Sequence, residues 1–219
     1  MPVLLDRVTS GHLVLGGLRN VSAAEFLPSQ GIEVVLVNNM PDAALEATER
    51  QFAGLLAAAA GDQLVRLKLF SLPSVPRGEA ARHYLDQNYA VIESLWNSRP
   101  DGLIVTGTEP RAAILSDEPY WPSLSLIADW AQYATISTVW SCLAAHVAVL
   151  RMDGIGRHLL PQKRSGVFEC TSVSDHAMMH GMPRQFSIPH SRCNDLAEDE
   201  LTAAGYTILS RSPFATSTG

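Results

Sequence analysis

The residues best suited to chemistry surround one cysteine. Thr138-Val139-Trp140-Ser141 is a short β-type run that reaches Cys142, and the small and apolar residues from Leu143 to Leu150 follow at once with helical character. A thiol on such a strand-to-helix turn stands at the carboxyl edge of an α/β sheet, where open parallel sheets place their ligands. The dipole and free N–H groups of the following helix favour a thiolate there, and a thiolate is a strong nucleophile. The alternative is a buried structural cysteine, since free Cys is among the most buried residue types.

Other candidates carry weaker signals. His146 follows Cys142 by four residues, so the two share a helix face. A substitute general base and a packed core histidine both remain open for it. His176 and His180 have a spacing that can bind metal, but no third ligand accompanies them, and solvated loop histidines are the better reading; no metal or cofactor is expected. His83 lies off the apolar stripe of its helix and reads as solvated. Arg192 is open to anion binding or to pairing with a nearby acid. Glu46 and Glu49 sit near a helix start, where negative charge stabilises without any catalytic role. Three cysteines, Cys142, Cys170 and Cys193, are an odd count without zinc-ligand spacing, so they read as free thiols of a reducing compartment.

The composition narrows the classes of partner. A net charge of −6 with no Lys/Arg cluster argues against nucleic acid and anionic membrane. No apolar run approaches the roughly 18 residues of a membrane span, and no signal-peptide pattern opens the chain, so a cytoplasmic protein is expected. A chain of 219 residues with 47% hydrophobic residues can build one good-sized α/β domain or two small ones.

The elements that must position Cys142 can be read in order. Residues 1–30 read as an N-terminal arm packed on a main domain of residues 31–219. Ile32 to Asn38 is a β-branched run suited to a central parallel strand. Asp42 is a candidate N-cap for a helix to about Ala60, with Leu45, Phe52, Leu55 and Leu56 on its apolar face. Leu64 to Phe70 alternates and reads as a strand nearer the sheet edge. A helix from about Gly78 to Ser98 carries Leu85, Tyr89, Ile92 and Trp96 as one stripe. Asp101 to Gly107 is a third strand, Thr108 to Pro119 a polar loop at the edge that holds Cys142, and Tyr120-Trp121-Pro122 opens a helix to about Tyr133. This β-α alternation means a doubly wound, mostly parallel sheet. Beyond Arg151, Lys163 to Glu169, Phe186 to Arg192 and Tyr206 to Ser210 alternate as antiparallel strands.

Several of these segments together resemble the homoserine O-acyltransferases of methionine biosynthesis, the homoserine O-succinyltransferases and their acetyl-using relatives. They are Val37-Asn38-Asn39-Met40-Pro41, Asp101 to Gly107, Tyr120-Trp121-Pro122, the Cys142 elbow, Lys163-Arg164-Ser165-Gly166-Val167 and Pro189-His190-Ser191-Arg192, in family order. The resemblance implies a flavodoxin-like, class I glutamine amidotransferase-like α/β fold with an antiparallel C-terminal extension. It implies an acyl-cysteine formed on Cys142 from succinyl-CoA or acetyl-CoA, transfer to the hydroxyl of L-homoserine, and a homodimer. Lys163 matches a substrate-contacting lysine and Ser191 a substrate-binding serine, and a lysine and an arginine such as Arg192 would suit a carboxylate or the phosphates of CoA. For His190, beside Ser191 in the matching motif, the resemblance implies a structural or pocket-lining role.

Three departures from the family pattern stand out. The family's general base is a histidine in a Gly-His-Pro-Glu segment that would lie downstream of Gly219, so the chain is expected to be a fragment, less stable than a longer form. The loop after Met40-Pro41 reads Asp42-Ala43-Ala44 where the family commonly carries lysines. Arg111 occupies the position that holds glycine in succinyl users and an acid in acetyl users. Its cation would pair with the free carboxylate of a succinyl group, which favours succinyl, although a solvated loop arginine is an equal reading. Two rivals remain: an amidotransferase-like cysteine hydrolase using the same elbow on an amide, and an inactive relative that binds a ligand or partner.

Overall fold

The computed structural model describes residues 3–6, 13–15 and 31–212. The chain divides into two compact units, Met1–Met152 and Asp153–Gly219.

The first unit is built on a six-stranded sheet. Its strands are Val3–Asp6 (β1), Leu13–Leu15 (β2), Gly31–Val37 (β3), Leu64–Phe70 (β4), Gly102–Val105 (β5) and Ser137–Trp140 (β6), in the order β2-β1-β4-β3-β5-β6. All neighbours are parallel except β1 and β2. The helices are Leu45–Ala59 (α1), Glu79–Asn88 (α2), Trp121–Ala134 (α3) and Leu143–Asp153 (α4). Val34 to Val37 are all buried, as a parallel strand covered on both faces requires. Alternation along β3 divides them between two cores. Val35 and Val37 join Leu103, Val105, Leu124, Ile127, Trp130 and Val147 on the face of α3 and α4. Val34 and Leu36 join Ile104, Leu67, Leu45 and Ala53 on the face of α1. The sheet is therefore doubly wound.

Four details differ from the sequence reading. The strand at Leu64–Phe70 is not near the edge: β1 pairs with it in parallel on one side and β3 on the other. Residues expected as an arm thus supply β1 and β2, and the rest of 1–30 lies outside the described residues. The helix over 78–98 is broken. Tyr89 turns extended (φ −112°, ψ 141°), Ala90 donates its N–H to Leu69 O at 2.8 Å, and a 3-10 turn covers Ile92–Asn97. Backbone pairing with β4 wins there over the continuous stripe. On α1, Leu55 is exposed while Thr48 and Glu49 are buried; the Tyr84 hydroxyl donates to the Glu49 carboxylate at 2.8 Å, which satisfies that acid. Finally, Asp42 does not cap its own helix; a 3-10 turn over Asp42–Ala44 precedes α1.

The second unit holds Arg157–Ser172 (β7), Gln185–Leu196 (β8), the short helix Glu198–Ala203 (α5) and Ser210–Arg211 (β9), with sheet order β8-β7-β9. Both pairings are antiparallel. The strand expected from Tyr206 begins only at Ser210. The Tyr206 hydroxyl donates to Asp153, and burial followed by that carboxylate raises its pKa to about 12. Along β7 the register is irregular between Leu159 and Arg164, then regular from Arg164 opposite Arg192 to Thr171 opposite Gln185.

Candidate active site

Cys142 stands between the end of β6 and the start of α4, exposed, with φ 58°. Among the described residues it is the one non-glycine with positive φ. An L-residue in that left-handed region is disfavoured by about 1–2 kcal/mol, and such strain concentrates at functional sites. What holds it is hydrogen bonding on both sides. Ser141 donates its N–H to Val105 O at 2.9 Å, and Ala145 donates to Cys142 O at 3.0 Å as the helix begins. The small residues Ala144 and Ala148 and the apolar Leu143 and Val147 bury α4 against the core. The thiol is thus presented outward while the chain on either side is fixed.

The neighbouring strand ends are tied to one another by Asn39. Its N–H donates to Thr106 Oγ1 at 2.7 Å, its amide Nδ2 donates to Thr106 O at 3.0 Å, and its Oδ1 accepts from Leu72 N–H at 3.1 Å. One buried side chain therefore joins the carboxyl ends of β3, β4 and β5. The next residue after Thr106 shows why it must be glycine. A Cβ on Gly107 would lie 2.4 Å from the Leu143 backbone nitrogen, closer than atoms can pack. The loop backbone can therefore pass directly over the first turn of α4.

The loop from Thr108 to Pro119 is anchored from within. Both oxygens of buried Glu118 accept the Arg111 N–H, at 3.0 and 2.9 Å. This fixes the backbone of Arg111 and leaves its residue exposed. Tyr120 beside it is buried, and burial raises its phenol pKa against the opposing charge of Arg111.

A second anchor is Arg77, whose side chain is only 4% exposed. It donates to Met40 O at 2.5 Å, Asn38 O at 3.3 Å and Ser71 Oγ at 3.0 Å, and pairs with Asp42 at 3.2 Å. Asp42 also accepts the Gly78 N–H at 2.8 Å, so it caps the start of α2. That backbone bond, then Arg77, holds its carboxyl below the usual aspartate value despite some desolvation. The Asn38-to-Asp42 turn is thereby fixed by the Arg77 guanidinium. Tyr89 closes the network: Asn38 Nδ2 donates to its hydroxyl at 2.9 Å, and burial pushes its pKa far up.

The residues expected to bind substrate in the second unit fall on two faces of its hairpin. Ser191 lies opposite Ser165 and is exposed; Lys163 is also exposed and falls in the irregular stretch of β7 just before the paired run. Arg192 lies opposite Arg164 on the other side, half-buried, and pairs with Asp195 at 3.1 Å. Cys142 and Arg111 belong to the first unit and these residues to the second. His146 is half-buried on α4 and has contacts of its own. His83, His176 and His180 are exposed, Cys170 is buried and Cys193 exposed. Among the described residues no group of three or more His, Cys, Asp or Glu could hold a metal, and no helix is long and apolar enough to cross a membrane.

Asn39, Arg77, Gly107 and Glu118 escaped the sequence reading as site-positioning residues. Gly107 was visible only as a turn after a strand. Arg77 carries no local signal, because its partners on the Asn38-to-Asp42 turn lie 35 to 39 residues away.

The fold defines a class, the doubly wound α/β proteins with a mostly parallel central sheet. A glutamine amidotransferase from Thermotoga maritima superimposes with a TM-score of 0.50 at 10% identity, covering 76% of this chain and 63% of that one. A putative GMP synthase protein from Thermoplasma acidophilum does so with a TM-score of 0.50 at 14% identity, covering 77% and 68%. Sequence then narrows the class. The homoserine O-succinyltransferase family model matches residues 20–218, so the chain belongs to that family. It is 56% identical over 184 residues to the homoserine O-succinyltransferase of Rhodopseudomonas palustris, covering 84% of this chain and 55% of that protein. It is 45% identical over 211 residues to that of Methylorubrum extorquens, covering 96% and 62%. The chain thus spans a little over half the length of these relatives.

Proposed function

We propose that this protein transfers a succinyl group from succinyl-CoA to the hydroxyl of L-homoserine through an acyl-cysteine on Cys142. The observation that supports it most is the exposed thiol at φ 58° on the strand-to-helix turn, in a chain of this family. In the first half-reaction the Cys142 thiolate attacks the thioester carbonyl. The bond from carbonyl carbon to Cys142 Sγ forms, the bond to the CoA sulfur breaks, and CoA leaves as its thiolate. The developing oxyanion is assigned to the Leu143 N–H at the start of α4, where a preorganised donor counts most. In the second half-reaction the homoserine oxygen attacks the acyl-cysteine, a general base takes the hydroxyl proton, and the thiolate is released. Splitting the transfer this way replaces one difficult step with two easier ones.

Arg111, held by Glu118 through its backbone, is assigned to the free carboxylate of the succinyl group. Lys163 and Ser191, both exposed on the β7–β8 hairpin, are assigned to the acceptor. Intact-mass spectrometry after brief incubation with succinyl-CoA, and separately with acetyl-CoA, tests the reading. A gain of one succinyl group, absent in Cys142→Ala, is the expected result. Labelling by acetyl-CoA alone would reassign the donor, and labelling by neither in a folded sample would overturn the acyltransferase reading.

A further inference from the structure

We infer that the side of the β7–β8 hairpin carrying Arg164, His190 and Arg192 binds a small oxyanion, either a phosphate or a carboxylate group. The register places Arg164 directly opposite Arg192, and Gly166 opposite His190. Directly opposed residues of an antiparallel pair hold their Cβ atoms roughly 4.5–5.5 Å apart, and like charges in that relation destabilise the sheet. Residues two apart on one strand share a face, so His190 joins the arginines on the same side. Gly166 carries no side chain there; the Phe168 ring lies 3.7 Å from where its Cβ would stand and packs T-shaped against His190, with centroids 5.3 Å apart.

The donors there are not saturated. Arg192 Nη1 reaches Asp195 at 3.1 Å, but its Nε is buried without an acceptor, and so is His190 Nε2. Arg164 forms no hydrogen bond or ion pair with the described residues. The single carboxylate of Asp195 thus offsets one of two guanidinium charges. Burial first, then the charge of Arg192, holds His190 below the usual histidine value, with Asp195 opposing and Arg164 adding to it. Buried polar groups in folded proteins normally find partners. An oxyanion between the two forks would supply the missing acceptors and remove the like-charge opposition, since arginine matches both phosphate and carboxylate geometry.

The proposal stands apart from the acyl-transfer reading, because its probes are free anions and its readout is binding. Isothermal titration calorimetry with sodium phosphate and, separately, sodium succinate, at constant ionic strength, is the test. Saturable binding of at least one anion is expected, weakened tenfold or more in Arg164→Gln and less in Arg164→Lys, which keeps the charge but loses the fork. Arg164→Gln should unfold at or above the wild-type temperature, because it relieves the opposed charges, so its loss of binding would not reflect misfolding. Binding of phosphate alone names a phosphate site, and binding of succinate alone a carboxylate site. No saturable heat with either anion, or unchanged affinity in Arg164→Gln, would overturn the proposal.

Discussion

In the first unit the seven-residue strand β3 has four consecutive buried residues, whereas in the second the sixteen-residue β7 has two, Leu160 and Cys170. The twelve-residue β8 has none. The difference follows from what covers each sheet. The central strands β3 and β5, parallel and covered on both faces, bury most of their side chains, while β8 alternates exposed and half-buried residues like a strand with one wetted side. At about 25 cal/mol per Å² of apolar surface removed from water, the first unit holds most of the hydrophobic stabilisation. The rigid thiol therefore rests on the stable unit. The arginines, Lys163 and Ser191 rest on one with few buried contacts, the kind of region that opens locally at low cost.

The comparison can be broken most directly in the cores. Ile127→Ala, at a fully buried position, should cost about 2–5 kcal/mol in urea unfolding, and Leu160→Ala on β7 distinctly less. Equal losses would mean that the units share their stability evenly. Gly107→Ala should cost about 1–3 kcal/mol, as overpacking does, and should also slow acyl-cysteine formation, because the backbone at Leu143 must move. A stability loss with unchanged labelling would separate that contact from the chemistry. Tyr206→Phe, which removes the bond to Asp153 in the second unit, should cost only about 0.5–1 kcal/mol by the same measurement.

The smallest effect concerns pH. The Asp42 carboxyl has a lowered pKa in the folded state. Its contribution is therefore fully present above the unfolded aspartate value and is lost as pH falls through the lower folded one. Asp42→Asn should flatten the acid limb of the stability profile below about pH 4 and leave the slope at neutral pH unchanged. Unaltered acid sensitivity would show that the Arg77 network does not depend on that charge. Amide hydrogen exchange sharpens the same contrast without mutation: β3 amides are expected to outlast those of β8.

The sequence made the parallel sheet legible because its strands are continuous apolar runs between helical stripes. The Cys142 turn was equally visible, since a β-type run and a small-residue helix meet there with nothing between. What stayed hidden depends on distant pairing. The interior place of β4 needed β1, three short apolar residues and an aspartate among glycine-broken residues. The break at Tyr89 needed a bond to Leu69 on another strand. Arg77 and Glu118 act through backbone groups of loops, for which no spacing rule exists. The division of Ser191 from Arg192 was implicit in alternation, yet became meaningful only once the register paired them with Ser165 and Arg164.

Under the acyl-transfer proposal, the left-handed backbone at Cys142 sets selection for the thiol against selection for stability. Glycine is the residue that position would prefer on conformational grounds, and glycine has no nucleophile. A lineage in which acyl transfer ceased to matter would gain robustness by drifting to glycine at 142, and would do so without disturbing the fold around it. On that proposal the side chain found there records opposing pressures, and a sequence survey of relatives would read glycine at this one site as the mark of lost acyl transfer.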